Sequence, residues 1–312
     1  MKYATDASPY RLFPQVVVAA ESPEQIAKTL QYARQNHHSV TFRGSRSSLN
    51  GQSQGDDILI DVRKCFVGLE VLENGLYAKI KPGTIVNAVN RALLPYNRVL
   101  GPDPASSGTA TVGVVVANNA SGMTAGTKLN SYHTVVAMKV LLPSGVILDT
   151  ADSEVDARLF DSERELHDGL LEIRDEILRD ESFAAWIRKK FAIKNTNGYR
   201  LDEFLDHTTP DAILQRLMVG SEGTLGFIAE VTFETLPLRP LRSTGLLIFS
   251  SLHDAAAAAP HFIEIGAMAH MLRFCGGSWP AARRIDSLSY QRGGEGGCWQ
   301  EPGSVPLRES NL

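Results

Sequence analysis

The chain has 312 residues, a hydrophobic share of 43% and a formal net charge of -4, enough apolar material for packed cores in about two domains. Its charges are scattered without long runs of one sign, which gives no electrostatic reason for nucleic acid or an anionic membrane surface as main partner. No window approaches the ~20 apolar residues of a membrane span, and the start MKYATDASPYRLFPQ has neither the basic end nor the apolar stretch of a signal peptide, so a cytoplasmic location is expected, with a peripheral position at the membrane left open.

In chain order, the first expected element is a helix in SPEQIAKTLQYARQNHH, with Ser22 as N-cap, Pro23 at the first helical position and Gln25 closing a capping box. Ile26, Leu30 and Ala33 form its apolar stripe. A strand from Val40 to Phe42 then runs into a loop rich in Gly and Ser. Strands are expected at Ile58 to Val62 and Tyr77 to Lys81, and a hairpin from Val135 to Leu142 and Val146 to Asp149 about Pro143-Ser144-Gly145. Helices fall near Ile85 to Leu94 and Glu163 to Arg179, and a late strand covers Phe227 to Phe233. Hairpins mixed with helices fit α+β better than a doubly wound sheet. Beyond about Pro240 the tail loses any period of 2 or 3.6 and fills with Gly, Arg and Ser, so residues 1–240 are expected to fold as one domain and 241–312 as an irregular region. Cys65, Cys275 and Cys298 are widely spaced, show no CxxC pattern and read as free thiols, with no metal site.

Three segments carry chemistry. The loop Arg43-Gly44-Ser45-Arg46-Ser47-Ser48-Leu49-Asn50-Gly51-Gln52-Ser53 offers backbone N–H groups and hydroxyls suited to a pyrophosphate, although a polar surface turn has the same composition. The run from Gly101 to Gly113 and on through Asn118, Asn119, Ser121 and Gly122 is long and small-sided, which allows a flat ligand close to the backbone; the two asparagines also suit helix caps. The third, Val219-Gly220-Ser221-Glu222-Gly223-Thr224-Leu225-Gly226-Phe227-Ile228, leads into a strand, leaving the backbone of Phe227 and Ile228 for a base edge. Since GxGxxG opens a helix in the Rossmann dinucleotide site, that reading is disfavoured, while a glycine bend at a sheet edge stays open.

Together RGSRSSLNGQS, PDPASSGTATVGVVVANNASG, KNTNGYRLDEF and VGSEGTLGFI resemble, in this order, the FAD-binding domain of the vanillyl-alcohol oxidase (PCMH-type) superfamily, and within it the FAD-linked D-lactate and D-2-hydroxyglutarate dehydrogenases. The resemblance implies two α+β subdomains with FAD between them and a separate cap domain for substrate, here absent or only begun. It places Gly44, Ser45, Ser47, Ser48, Leu49, Gly51 and Gln52 along the pyrophosphate, after Arg43 at the strand end. Thr111, Val112, Gly113, Asn118, Asn119, Ser121 and Gly122 then line the diphosphate, ribityl and ring region, and Gly223, Gly226 and Ile228 the adenine side. It implies hydride transfer from a D-2-hydroxy acid to FAD, with electrons passing to a quinone, cytochrome or similar acceptor; the catalytic base belongs to the region not matched. His133 reads as a satisfied, partly buried group, Cys65 lies outside the loops, and Lys194 and Tyr199 suit either the flavin region or fold support.

Two places depart from the pattern: Arg46 and Ser47 stand where the family has glycine and threonine, and Val114 where it has a second glycine. A positive φ at Arg46 would cost about 1 kcal/mol or more, and Val114 puts a branched side chain where backbone should approach flavin. With no cap signature in view, a truncated or frame-shifted longer protein is the leading expectation; a non-catalytic remnant and an FAD-binding subunit completed by another chain are its rivals.

Overall fold

The computed structural model describes residues 3–122, 125–239, 249 and 251–264. The first lobe contains β1 (Val16–Val18), α1 (Pro23–Gln35), β2 (Val40–Arg43) and β3 (Ile58–Asp61). Its three strands are parallel in the order β1-β3-β2. Helix α1 starts as its residues dictate: the Ser22 side chain accepts from the backbone N–H of Gln25, and Gln25 Oε1 reaches back to accept from the N–H of Glu21 at 2.9 Å. One orphan donor of the first turn, the N–H of Gln25, is thereby satisfied, and the residue before the N-cap is tied to the helix. Ile26 and Ala33 are buried against Ile58, Ile60, Val62 and Phe66.

The second lobe is a five-stranded antiparallel sheet with helices against one face. Along the chain come β4 (Leu69–Leu72), β5 (Tyr77–Ile80), α2 (Val86–Leu93), β6 (Arg98–Val99), α3 (Val112–Ala117), α4 (Ser131–Thr134), β7 (Val135–Leu141) and β8 (Ile147–Asp149). There follow α5 (Val155–Ser162), α6 (Arg164–Arg179), α7 (Glu181–Phe191), α8 (Glu203–Asp206), α9 (Pro210–Met218), β9 (Phe227–Glu234), β10 (Leu236–Pro237) and α10 (Leu252–Glu264). The sheet order is β4-β5-β9-β7-β8. The β7–β8 turn is the expected hairpin: Gly145 takes φ 99° and its N–H donates to Leu142 O at 2.9 Å, a left-handed position that glycine fills without a Cβ penalty. On the face away from the helices, Lys79, Glu230, Lys139 and Asp149 alternate in sign across β5, β9, β7 and β8, as suits a partly solvated sheet.

One irregularity joins the lobes. The β7–β9 register pairs Lys139 with Glu230 and Val140 with Ile228, passing over Ala229. That extra residue is a bulge, and it reverses which side chains face which side. Val231 and Ile228 therefore both face the helical core. Phe227, Leu141 and Ala229 join the core of the first lobe instead. The end of β9 thus belongs to both hydrophobic cores and fixes them about one seam. The architecture is the expected α+β arrangement in two parts.

Cys65 is exposed and free, while Cys275, Cys298 and all of the tail after Glu264 lie outside the described residues. Residues Leu252–Glu264, where the sequence pattern shows no element, are helical. No helix among the described residues is long and apolar enough to cross a membrane.

Candidate functional site

The seam between the lobes opens into a cleft of about 660 Å³ when the open solvent at its mouth is counted. Three chain segments converge on it. β2 delivers Phe42, Arg43 and Gly44 and the loop beyond supplies Ser48, Gln52 and Ser53; α3 supplies Thr111, Gly113, Val114 and Ala117; the end of β9 and its preceding loop bring Ser221, Glu222, Gly223, Gly226, Phe227 and Ile228. The three loops read from the sequence are therefore neighbours in space, although they are far apart along the chain.

Each segment is held by its backbone. The N–H groups of Val112 and Gly113 donate to Thr84 O and Pro82 O at 2.8 and 2.9 Å, which pins the start of α3 to the loop after β5. At the other end of α3 the carbonyls of Val116 and Ala117 accept from Gly220 N and Glu222 N at 3.0 and 2.8 Å. The glycine-rich loop before β9 thus satisfies the Ala117 carbonyl at the helix end and adds a second donor to that of Val116, which also accepts from Asn119 N at 3.0 Å. Phe227 through Glu230 pair with β7 alone, since β5 engages only Val231 through Glu234. This leaves one edge of the β9 end without a paired strand beside the cleft.

The first loop is braced by a segment whose local sequence gives no sign of the contact. Arg43 is fully buried, and its guanidinium donates to the carbonyls of Tyr3, Thr5 and Ser53. Asp6 accepts from Ser53 Oγ at 2.9 Å and Gln54 Nε2 at 2.6 Å, and Gln54 Oε1 accepts from the N–H of Leu12 at 3.0 Å. Residues 3 to 12 therefore wrap the loop from outside. Hydrogen bonds from Ser8, Gln54 and Ser53 hold the Asp6 carboxyl below its ordinary range against the opposing effect of burial.

Of the residues expected to touch the cofactor, Arg43, Gly44, Ser48, Gln52, Thr111, Gly113, Gly223, Gly226 and Ile228 line the cleft. Ser45, Ser47, Leu49 and Gly51 lie on the same loop without lining it, Leu49 being 70% exposed. The structure moves Val112 out of the cleft: its side chain is fully buried in the helical core and its N–H is spent on Thr84. The apolar run from Val112 is a helix whose buried face is Val112, Val115 and Val116, and helical spacing decides which valine points in. Asn118 caps that helix, and its Oδ1 accepts from Ala120 N at 2.9 Å. Asn119, at φ 48°, accepts from Tyr132 N at 3.3 Å, while its buried Nδ2 and the buried Ser121 Oγ have no hydrogen-bond partner. Gly122 sits beside Asp103, and Lys194 Nζ donates to its carbonyl at 3.1 Å. Tyr199 joins Thr224 through their hydroxyls. Lys194 and Tyr199 thus strap the second and third loops. His133, its pKa drawn down by burial and by Arg200, does not line the cleft.

Both departures from the family pattern occupy telling places. Arg46 takes φ 65°, the left-handed conformation that glycine adopts freely. Val114 lines the cleft against Gly44: a Cβ on Gly44 would lie 2.5 Å from Val114 Cγ2 and 2.7 Å from Thr111 Oγ1. Gly44→Ala is expected to cost about 1–3 kcal/mol by overpacking. A Val114→Ala background should recover part of it, which a double-mutant cycle of melting temperatures and FAD titrations reads directly. Equal losses in both backgrounds would show that the two side chains do not meet.

Two α+β lobes closing on a glycine-lined cleft, with an arginine at one end and Phe42, Val62, Pro82 and Phe227 as walls, define a cofactor-binding domain of the flavoprotein kind. Over residues 14–151 the chain matches the family described as FAD binding domain. It is 26% identical over 281 residues to D-2-hydroxyglutarate dehydrogenase of Haemophilus influenzae, covering 86% of this chain and 27% of that protein. It is 27% identical over 251 residues to D-lactate dehydrogenase of Anaerostipes hadrus, covering 80% and 42%, and 24% identical over 277 residues to glycolate oxidase subunit GlcD of Bacillus subtilis, covering 87% and 48%. The chain thus spans about a quarter to a half of the length of these relatives. The fold recurs in 6-hydroxy-D-nicotine oxidase from Arthrobacter nicotinovorans, with a TM-score of 0.50 at 13% identity, covering 76% of this chain and 40% of that one.

FAD is the cofactor of this domain, and the residues present fit it. The Thr111 hydroxyl is buried at the cleft without a partner, a group that only a bound molecule or water can satisfy. Ser48, Gln52 and the loop backbone about Gly44 suit phosphate, and the apolar walls suit a flat ring system.

Proposed function

We propose that this chain is the FAD-binding part of an oxidoreductase that oxidises a D-2-hydroxy acid, of the D-lactate or D-2-hydroxyglutarate type, by hydride transfer to FAD. The observation that carries this reading is that relatives named for D-2-hydroxyglutarate, D-lactate and glycolate each cover at least 80% of the chain. FAD supplies the two-electron chemistry when bound. In the reaction the bond from hydrogen to the hydroxyl-bearing carbon breaks with its electron pair, the hydroxyl proton goes to a base, and a 2-oxo acid leaves. The electrons then pass to an acceptor such as a quinone or cytochrome.

The chain's own share is to hold and orient. Gly44, Ser45, Ser47, Ser48, Leu49, Gly51 and Gln52 are assigned to the pyrophosphate, and Gly223, Gly226 and Ile228, beside the unpaired edge of β9, to the adenine. Thr111, Gly113, Asn118, Asn119, Ser121 and Gly122 are assigned to the region between them and the ring. Apolar walls exclude water from the buried end. No described residue is assigned as the base.

A second reading is supported by the relative named as a subunit of glycolate oxidase: an FAD-binding subunit completed by another chain. The test is the absorbance spectrum of the purified chain titrated with FAD, followed by anaerobic mixing with candidate acids. Flavin bands at one per chain are expected, and bleaching by D-lactate or D-2-hydroxyglutarate and not by their L forms would support the substrate class. Bleaching that requires a co-purifying second chain favours the subunit. A folded chain that takes up no FAD would sink the cofactor placement, and bleaching by a sugar lactone alone would move the substrate class.

A further inference from the structure

We propose that Glu222 holds the adenosine half of the cofactor by accepting hydrogen bonds from its ribose hydroxyls, and so fixes which way the dinucleotide lies in the cleft. The inference rests on the placement of FAD in the cleft under the function proposed above.

Among the described residues that line the cleft two are charged, Arg43 and Glu222, and they differ in what they are free to do. The Arg43 guanidinium is spent on the carbonyls of Tyr3, Thr5 and Ser53. The Glu222 carboxylate receives no hydrogen bond and meets no cation among the described residues. The protein around it pushes its pKa up by burial alone, although part of the residue stays open to solvent.

Its place is set by the backbone and not by its side chain. The N–H of Glu222 donates to Ala117 O at 2.8 Å, at the end of α3, and the N–H of Gly220 donates to Val116 O at 3.0 Å. On the other side, Thr224 N donates to Ser221 O at 3.0 Å, and the Thr224 hydroxyl is joined to that of Tyr199. The loop is anchored before and after Glu222, so little is left to order when a ligand arrives.

Chemistry decides which part of FAD can cover this group. An ionised carboxylate only accepts hydrogen bonds. A diphosphate set against it would bring like charges together, and an apolar ring face would strip its water with nothing in return. The ligand surface that fits is one that carries donors. Glu222 shares its wall of the cleft with Gly223, Gly226, Phe227 and Ile228, where β9 has one edge without a paired strand. Free backbone N–H and C=O groups on such an edge suit the donors and acceptors of a base. The ribose joined to that base then presents two adjacent hydroxyls to two carboxylate oxygens, donors against acceptors.

The experiment titrates the full chain and its Glu222→Gln and Glu222→Gly variants with FAD, with an FAD analogue whose adenosine carries 2′,3′-dideoxyribose, and with riboflavin, by flavin fluorescence or calorimetry. Glycine adopts the Glu222 φ of 52° freely and keeps the N–H bond to Ala117, so the fold should survive loss of the side chain; melts without ligand check this. Glu222→Gly is expected to bind FAD about tenfold more weakly or worse, as for a lost hydrogen bond to a charged group. Glu222→Gln, which keeps one acceptor and no charge, should fall between. The dideoxy analogue should bind all three proteins alike, because the partner of the carboxylate is missing from it, and riboflavin should likewise show no dependence on residue 222. A loss in Glu222→Gly that persists in full with the dideoxy analogue, or that appears equally with riboflavin, puts the carboxylate against another part of the cofactor and overturns the proposal. FAD affinity within about twofold of wild type in both variants, well short of such a bond, overturns it too. A folded wild type that takes up no FAD overturns the cleft placement itself and the contact with it.

Discussion

Gly122→Ala is expected to be the most damaging single methyl group added anywhere in the site loops. Gly122 has φ 75°, and a Cβ there would lie 1.7 Å from Asp103 O and 2.8 Å from Pro104 N. Those are backbone atoms, so no rotamer change relieves the overlap. The two strands of chain would have to part, breaking the bond from Asp103 N to Ser121 O at 2.9 Å and shifting the carbonyl that Lys194 holds. Left-handed strain and overpacking together amount to about 3 kcal/mol, or roughly 6–10 °C of melting temperature. Two other glycines calibrate the result. Gly126 has φ 54°, and a methyl group there would meet nothing within 4 Å, so Gly126→Ala should show the strain alone, about 1 kcal/mol. Gly169 lies inside α6 with open space and ordinary backbone, and Gly169→Ala should stabilise by about 0.5–1 kcal/mol. Thermal melts of the three variants, with FAD titration of each, are the measurement. A Gly122→Ala loss no greater than that of Gly126→Ala would show that the Asp103 contact is not close.

Much of this site is legible in the sequence, because glycine and serine placed after a strand state their purpose locally. The loops at Gly44, Gly113 and Gly223 do reach one cleft, and α1 begins at Ser22 as its capping residues require. What stays hidden depends on long-range pairing. Nothing in the local text of Asp6 announces a bond to Gln54, 48 residues away. The run VGVVVA has too few polar residues to show a helical period, so Val112 and Val114 cannot be told apart as inward and cleft-facing until the helix is seen. Helix α9 does carry a signal of its own: Thr209-Pro210 opens it with Pro at the first position, and Ile213, Leu214, Leu217 and Met218 follow at helical spacing. Glu203 carries none, since Asp202-Glu203 in LDEF reads as a solvated acidic pair.

Glu203→Gln is the second large effect, and it emerges as a change in pH dependence. The side chain is fully buried at the start of α8, and neither carboxyl oxygen has a hydrogen-bond partner. The nearby guanidinium of Arg200 is committed to Asp202, at 2.9 Å through Nε and by a second contact through the other oxygen, and lies 3.6 Å over the Tyr132 ring. Asp202 and Asp206 add negative charge, so burial first and these neighbours second push the Glu203 carboxyl up to about 9. The unfolded chain releases this proton above its ordinary pKa of about 4.3, whereas the folded chain keeps it. The stability tied to it is therefore complete at low pH and lost as pH rises through the interval to about 9, at no more than about 1.4 kcal/mol per unit. Glutamine keeps the shape and cannot ionise. Its amide also lacks partners, so the absolute stability of the variant carries a constant cost, and the informative quantity is how the gap to wild type changes. His133 and His207, both drawn down by burial, exert their influence toward the acid side, so denaturant melts between about pH 7 and 8.5 isolate the glutamate. Across that range the wild type is expected to lose on the order of 2 kcal/mol relative to Glu203→Gln. Parallel profiles for the two proteins would mean that Glu203 is already ionised at pH 7, with a cation or water reaching it inside the helical lobe.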